Sequence, residues 1–138
     1  MATPSRAMKA LPDKKDIVTA YRHLYRGSLQ AVRYSSPSRQ ILLRTLRSSF
    51  RSGSPAEYDN RKIQNTLQFL QRAAESAGIE HKIMKNLVMV RFWEQSPNKS
   101  PRLVVGEGEM GRHIRRTTNK HFEATLHLLN ESLGLCLR

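Results

Sequence analysis

The 138-residue sequence predicts an all-α fold, with a core of three or four helices followed by a loop and a terminal helix. Apolar residues recur at helical spacing in several segments, and turn-forming Ser, Gly and Pro residues separate these segments. One short run of strand-forming residues, 103–105, has no partner strand. The chain length and its 38% of hydrophobic residues fit one modest folded domain and exclude a two-domain enzyme.

The first helix is preceded by an amino-terminal arm, residues 1–12, which is predicted to be flexible. The arm contains basic residues and no acid, as is typical of an organellar targeting segment. Asp13 or Asp16 is placed to cap the helix, which is predicted to end near Tyr34 because residues 35–37 (SSP) are typical of a turn. Its apolar stripe consists of Ile17, Tyr21, Leu24, Ser28 and Val32.

Three further helical segments complete the predicted bundle, residues 13–93. The second covers residues 38–51, and Asp59 is placed to cap the third. Gly78 ends or kinks the third helix, and the sequence leaves open whether residues 79–93 form a separate fourth helix. The apolar stripes of these segments are Leu42, Leu43, Leu46 and Phe50, then Ile63, Leu67, Leu70, Ala74 and Ala77, then Ile79, Ile83, Leu87 and Val90.

Beyond the bundle, residues 94–117 are predicted to form a loop, because they contain two prolines followed by a glycine-rich stretch. Residues 118–138 are predicted to form a carboxyl-terminal helical extension. Phe122, Leu126, Leu129 and Leu133 give this extension an apolar face, and Gly134 stands where a C-cap is expected.

The charge of the chain is strongly unbalanced, with 24 Lys and Arg against 11 Asp and Glu and a net charge of +13. Such a balance points to an anionic partner, such as RNA, an anionic membrane or an acidic protein. The excess is concentrated in residues 1–58, which hold eleven basic and three acidic residues. At helical spacing it forms two stripes, which are either a docking surface or a solvated face. The stripes are Arg22, Arg26 and Arg33 on the first helix and Arg44, Arg47 and Arg51 on the second.

The first helix contains the segment Ala20-Tyr21-Arg22-His23-Leu24-Tyr25-Arg26, and Phe50-Arg51 follows at the end of the second helix. With the small size and basic balance, these residues resemble the LYR-motif family (Complex 1 LYR-like proteins) of mitochondria. The resemblance covers about residues 16–70. Within that stretch the chain is also similar to a very short family member associated with assembly of the mitochondrial large ribosomal subunit.

The resemblance implies a three-helix, LYR-type bundle that binds the mitochondrial acyl carrier protein. The carrier's acyl-4′-phosphopantetheine inserts between the helices in such proteins, so no cofactor would be bound directly by this chain. Leu24, Tyr25, Arg26 and Phe50 carry over from the family motif as carrier-binding residues, and the stripe geometry adds Arg22, Arg47 and Arg51. The candidates for the acyl channel, which are otherwise ordinary core, are Tyr21, Leu46, Leu67 and Leu70, together with Leu24.

The function expected from these observations is that of a non-enzymatic adaptor in the mitochondrial matrix, which fixes the carrier to the large ribosomal subunit or its assembly intermediate. Within the family, the alternative is an accessory subunit or assembly factor of a respiratory complex or of iron–sulfur cluster machinery. Outside the family, the alternative is a basic RNA-binding protein without a carrier.

No motif in the sequence points to an enzyme. Residues 106–111 match G-x-G-x-x-G, but a βαβ unit is missing and two glutamates would repel a pyrophosphate. The five histidines lack metal-ligand spacing, so no metal site is expected. Cys136 is the single cysteine, and it lacks an activating base nearby in the sequence.

A second basic cluster lies around the predicted start of the last helix and consists of Arg112, Arg115, Arg116 and Lys120, with His113 among them. Basic residues at a helix amino terminus oppose the helix dipole, and a phosphate would relieve this repulsion. The cluster is therefore a candidate surface for rRNA or another partner. The alternative that the residues leave open is a disordered basic linker.

Overall fold

The computed structural model describes residues 10–95 and 108–138 and is all-helical, as the sequence predicts. The described part contains five α-helices and one short 3-10 turn, and no β-strand occurs in it. The helices are α1 (Lys14–Ala31), α2 (Ser38–Ser52), α3 (Asn60–Glu75), α4 (Ile79–Gln95) and α5 (Glu109–Leu133), with the 3-10 turn at Pro55–Glu57. The amino-terminal arm up to residue 9 and the short run at 103–105 lie outside the described residues.

The predicted cap of α3 is confirmed. The Asp59 carboxylate accepts hydrogen bonds from the backbone N–H groups of Arg61 at 3.0 Å and Lys62 at 3.5 Å. Asp13 holds the corresponding position at α1, but its side chain makes no capping hydrogen bond. Local sequence therefore determines where both helices begin, and of the two only α3 has a side-chain hydrogen bond that caps its amino terminus.

Helix α1 ends at Ala31, three residues before the predicted end at Tyr34. Arg33 and Tyr34 both adopt left-handed backbone conformations, with φ of 53° and 56°. The Tyr34 N–H donates to the Leu29 carbonyl at 2.9 Å, which closes the last turn of the helix in a Schellman motif. Arg33 thus leaves the stripe of Arg22 and Arg26, because the chain has already turned away from the helix axis.

Residues 79–93, whose status the sequence left open, belong to a separate helix. The chain becomes extended at Ser76, with φ of −139° and ψ of 157°, and α4 begins after Gly78. The Lys82 N–H donates to the Gly78 carbonyl at 3.1 Å, which makes Gly78 the first acceptor of the new helix.

The last helix begins at Glu109 and not at residue 118 as predicted, so residues 109–117 of the predicted loop are helical, as are residues 94 and 95 at the end of α4, while residues 96–107 lie outside the described part. Gly108 is extended at the start of α5, and Glu109 in the first turn complements the helix dipole. A single glycine at residue 111 does not interrupt the helix. The predicted C-cap at Gly134 is confirmed, because Gly134 adopts a left-handed conformation with φ of 64° and the helix ends at Leu133. Residues 134–138, which are predicted to belong to the carboxyl-terminal helical extension, are therefore not helical.

The first four helices pack as a ring in which α1 contacts α2 and α3, and α4 also contacts α2 and α3. Helices α2 and α3 therefore lie diagonally opposite each other. The fourth segment is a full member of the bundle and not an appendage to three helices. Gly27 allows α1 and α3 to approach closely, since a Cβ atom there would lie 3.4 Å from Leu70 Cδ1.

The segment after α5, residues 134–138, folds back over the bundle and is called the strap below. Its Leu135 and Leu137 side chains are buried in the same core as those of α1 to α4. The side-chain amide of Asn65 on α3 donates to the Gly134 carbonyl at 3.2 Å. Asn130 on α5 both donates to the Leu137 carbonyl at 2.8 Å and accepts from its N–H at 3.0 Å.

Candidate ligand cavity and arginine surface

A cavity of about 290 Å³ lies between the four helices of the ring and opens to solvent beside the 3-10 turn and the strap. Its walls are mostly apolar and come from all four bundle helices, the strap and the segment at residues 53–59, where Glu57 and Asp59, with Lys62 of α3, add charged groups. The apolar lining residues are Ile17 and Leu24 from α1, Leu42, Leu46 and Phe50 from α2, Ile63 and Leu70 from α3, Met84 and Leu87 from α4, and Leu137 from the strap. A space of this size and character suits a hydrocarbon chain.

Two hydroxyl groups in the cavity wall differ in their bonding. Thr66, 3% exposed, donates to the Lys62 carbonyl at 2.8 Å and accepts from the backbone N–H of Cys136 at 3.1 Å. Ser28, 8% exposed, makes no side-chain hydrogen bond with any residue of the described part. A buried hydroxyl needs a partner, so Ser28 leaves one polar atom of the wall open to water or to a ligand.

The strap forms one side of the cavity. Cys136, Leu137 and Arg138 all line it, and Arg138 reaches Glu57 with a nitrogen-to-oxygen distance of 3.7 Å. Burial raises the pKa of the Cys136 thiol, and its hydrogen bond with the Thr66 hydroxyl at 3.2 Å acts in the opposite direction. The thiol is thus protonated at neutral pH and is not an activated nucleophile.

An arginine-rich surface lies on the outside of α1 and α2. It is formed by Arg22 and Arg26 of α1 and by Arg47 and Arg51 of α2, and we call it the arginine surface. All four side chains are exposed, and none forms an ion pair with a residue of the described part. The two helices meet through the Tyr21 and Phe50 rings, whose neighbours in the sequence are Arg22 and Arg51.

Aromatic residues separate the arginine surface from the cavity. The Tyr21 and Phe50 rings pack edge to face, with their centroids 5.2 Å apart, and Tyr25 lies 6.2 Å from Tyr21. Phe50 also lines the cavity. The predicted carrier-binding residue Phe50 therefore lies at the contact between the two helices, and Tyr25 lies beside Tyr21 on α1.

The predicted acyl-channel residues divide into two groups. Leu24, Leu46 and Leu70 line the cavity, whereas Tyr21 and Leu67 are not among its lining residues. Leu67 lies instead at the α1–α3 crossing, where its Cδ2 is 3.7 Å from the position of a Cβ on Gly27. The sequence did not indicate that Met84 and Leu87 of α4 or residues 136–138 of the strap line the cavity, because the family pattern covers only residues 16–70. The periodicity of α4 was the one signal that could have indicated them.

A second, more polar opening of about 460 Å³ lies between α2, α4 and the strap, and we call it the vestibule. It shares Thr45, Ser49 and Arg138 with the cavity, so the two spaces are adjoining. The remaining vestibule residues are Arg44, Ser48 and Ser52 of α2 and Arg91 and Gln95 of α4. Helical spacing in the sequence groups Arg44 with Arg47 and Arg51. The packing of α4 and the strap against α2 also places Arg44 in one opening with Arg91 and Arg138.

Arg91 is held in place by two carboxylates. Its guanidinium donates to Glu94 at 2.9 Å and to Glu123 of α5 at 2.6 Å, and it lies 5.6 Å from the centre of the Phe122 ring. Burial lowers the pKa of Arg91, but the hydrogen bonds to Glu123 and Glu94 outweigh this effect, so the pKa is raised overall. Arg91 is therefore a fixed cation at the edge of the vestibule.

The second basic cluster of the sequence lies within α5 and not before it. Residues 112, 115, 116 and 120 fall in the amino-terminal half of that helix, and the Lys120 side chain is exposed. Within residues 10–95 and 108–138, no three His, Cys, Asp or Glu side chains are grouped to hold a metal ion. In the same residues, no helix is both long and apolar enough to span a membrane.

Taken together, the fold and these surfaces define a basic helical-bundle protein with an internal apolar cavity. Over 84 residues the chain is 32% identical to UPF0593 mitochondrial protein C806.05 of Schizosaccharomyces pombe, and the match covers 59% of this chain and 67% of that protein. The chain belongs to the UPF0593 family. No family model matches the sequence, and no solved structure matches the chain.

Proposed function

We propose that this protein is a non-enzymatic, mitochondrial LYR adaptor that binds an acyl carrier protein. The arginine surface would bind the acidic helix of the carrier, and the cavity would take the acyl chain of its 4′-phosphopantetheine group. The observation that supports the proposal is that four exposed arginines, which form no ion pair within the described residues, lie on the two helices whose Tyr21–Phe50 contact borders the apolar cavity. The mitochondrial relative supports the cellular location.

The size of the cavity is compatible with this role. An apolar cavity of roughly 150 Å³ accommodates one benzene molecule, so about 290 Å³ has room for roughly twice as many carbon atoms. Each methylene group removed from water contributes about 0.8 kcal/mol. An acyl chain would therefore complete a core that α2 and α3 leave unfilled.

The proposal is tested by reversing charge on the arginine surface. Arg26→Glu combined with Arg47→Glu is expected to weaken carrier binding by about a hundredfold or more, because two favourable charge contacts become repulsive. The measurement is co-purification of coexpressed mitochondrial acyl carrier protein, with the intact mass of its acyl-phosphopantetheine form, and helicity by circular dichroism.

Arg39→Glu combined with Arg72→Glu is the matched control. Both side chains are exposed and lie outside the arginine surface, and the change in net charge is identical. The control should retain the carrier. Full carrier stoichiometry in the Arg26/Arg47 variant would refute the arginine surface as the binding site.

We further propose that the assembly to which the carrier is fixed is the mitochondrial large ribosomal subunit or its precursor, in the matrix. The similarity of residues 16–70 to a ribosome-associated LYR protein favours this assembly, and the basic positions in α5 would provide an rRNA contact. Sedimentation of mitochondrial lysate tests the assignment. Comigration with respiratory complexes would favour the alternative within the family, and nuclease-sensitive binding without a carrier would favour a plain RNA-binding protein.

A further inference from the structure

The vestibule adjoins the cavity directly, whereas the arginine surface does not. Thr45, Ser49 and Arg138 line both spaces, so a ligand can lie across them. On the other side of α2, the edge-to-face contact of Tyr21 and Phe50 lies between the arginine surface and the cavity. The vestibule is therefore an opening that continues into the cavity on the α2–α4 side.

The vestibule is lined by cations and hydroxyl groups. Arg44 is exposed and forms no ion pair with a residue of the described part, and Ser48 beside it makes no side-chain hydrogen bond there. The charges of the other two arginines are shared with acids: Arg91 with Glu94 and Glu123, and Arg138 with Glu57 at 3.7 Å. Because α2 contains no acidic residue, Arg44 keeps an uncompensated positive charge at this opening.

A polar, cationic opening that continues into an apolar cavity matches the chemistry of a single-chain amphiphile with an anionic group. We infer that the vestibule is a binding site for the phosphate or carboxylate of such a ligand, with Arg44, Ser48 and Arg138 as its partners. The inference rests on the proposed function only in that an acyl chain occupies the cavity. It adds the place where the anionic group is bound.

Cys136, the single cysteine of the chain, is exposed to reagent, and its Sγ lies 3.2 Å from the Thr66 hydroxyl in the cavity wall, so a ligand bound in the cavity is expected to shield it. The test measures its alkylation rate by N-ethylmaleimide in the full chain, titrated with decyl phosphate, decanoate or decanol below their aggregation limits. The three probes share one chain length and differ in their polar group. Decyl phosphate and decanoate are expected to protect Cys136 at concentrations about tenfold lower than decanol, because charge-assisted hydrogen bonds hold the anion.

Arg44→Gln is expected to remove most of this tenfold preference and to leave decanol unchanged. Arg39→Gln, an exposed arginine in the first turn of the same helix, is the matched control and should retain the preference. Stronger protection by decyl phosphate than by decanoate would support a phosphate carried on the chain as the source of the anion, and the reverse order would support a free fatty acid.

The results distinguish failure of the vestibule site from failure of acyl occupancy of the cavity. Equal protection by all three probes, or an unchanged preference in Arg44→Gln, would overturn the vestibule site while acyl occupancy of the cavity stands. Absence of protection by every probe would overturn acyl occupancy of the cavity and the vestibule site together.

Discussion

At the scale of single residues, two buried hydroxyl groups in the cavity wall differ in their hydrogen bonding, and the sequence does not show this difference. Ser28 lies at helical spacing within the apolar stripe of α1, and Thr66 lies beside the stripe of α3. The Thr66 hydroxyl links its own helix to the strap through the Cys136 N–H, whereas the Ser28 hydroxyl has no partner in the described part of the chain. Their replacement should therefore have opposite effects on stability.

Ser28→Val is expected to raise the free energy of unfolding by about 1 kcal/mol, because it removes an unpaired buried hydroxyl and adds apolar surface. Thr66→Val, the matched substitution of a bonded hydroxyl, is expected to lower it by about 1–3 kcal/mol, because the Cys136 N–H loses its acceptor. Urea denaturation of both variants measures the difference. Equal destabilisation would mean that Ser28 has a bonded partner, such as a retained water.

At the scale of the elements, the ends of the helices decide how the site is assembled. Gly134 ends α5 in a left-handed conformation and directs the strap across the cavity, where Asn65 and Asn130 hold it. A Cβ atom on Gly134 would lie 3.0 Å from Asn65 Nδ2. This is the atom that donates a hydrogen bond to the Gly134 carbonyl and so anchors the strap. The end of α5 and the closure of the cavity are therefore coupled.

Gly134→Ala is expected to lower the free energy of unfolding by about 1–2 kcal/mol, since alanine is strained at this positive φ. It should also speed alkylation of the exposed Cys136 several-fold, because a looser strap releases the thiol and N–H of Cys136 from the Thr66 hydroxyl. Gly78→Ala is the control, because that glycine has no positive φ and its added Cβ would meet only side-chain atoms of Ser76 and Glu80. If both variants alkylate at the wild-type rate, the strap does not control access to Cys136.

At the scale of the whole molecule, the net charge of +13 is distributed unevenly. Ion pairs connect α5 and the strap to the rest of the bundle, through Lys62–Glu131, Arg91–Glu123 and Arg138–Glu57. The arginine surface on α1 and α2 contains no such pair in the described residues. The positive field is thus directed outwards from one side of the bundle, as expected of a surface that attracts an acidic partner.

Raising the salt concentration from 50 mM to 500 mM is expected to slow association with an acyl carrier protein at least about tenfold and to change dissociation less. Stopped-flow fluorescence or surface plasmon resonance measures both rates. The Arg26→Glu and Arg47→Glu variant should lose most of this dependence. A wild-type association rate that does not respond to salt would show that the unbalanced charge does not guide binding.

The sequence by itself determined the fold class, the caps at Asp59 and Gly134 and the arginine positions on α1 and α2, because these features depend on residues close together in the chain. Residue spacing could not determine where α5 begins or that α4 closes the ring. Glycine and charge signals near residues 106–118 are compatible with either a loop or a helix start.

Only the tertiary structure decided that Leu24, Leu46 and Leu70 line a shared cavity, that Leu67 lies at a helix crossing and that Arg44 adjoins the strap. Each of these facts depends on contacts between residues far apart in the sequence. Helical periodicity identifies the face on which a residue lies, whereas the packing of the other helices decides what that face meets.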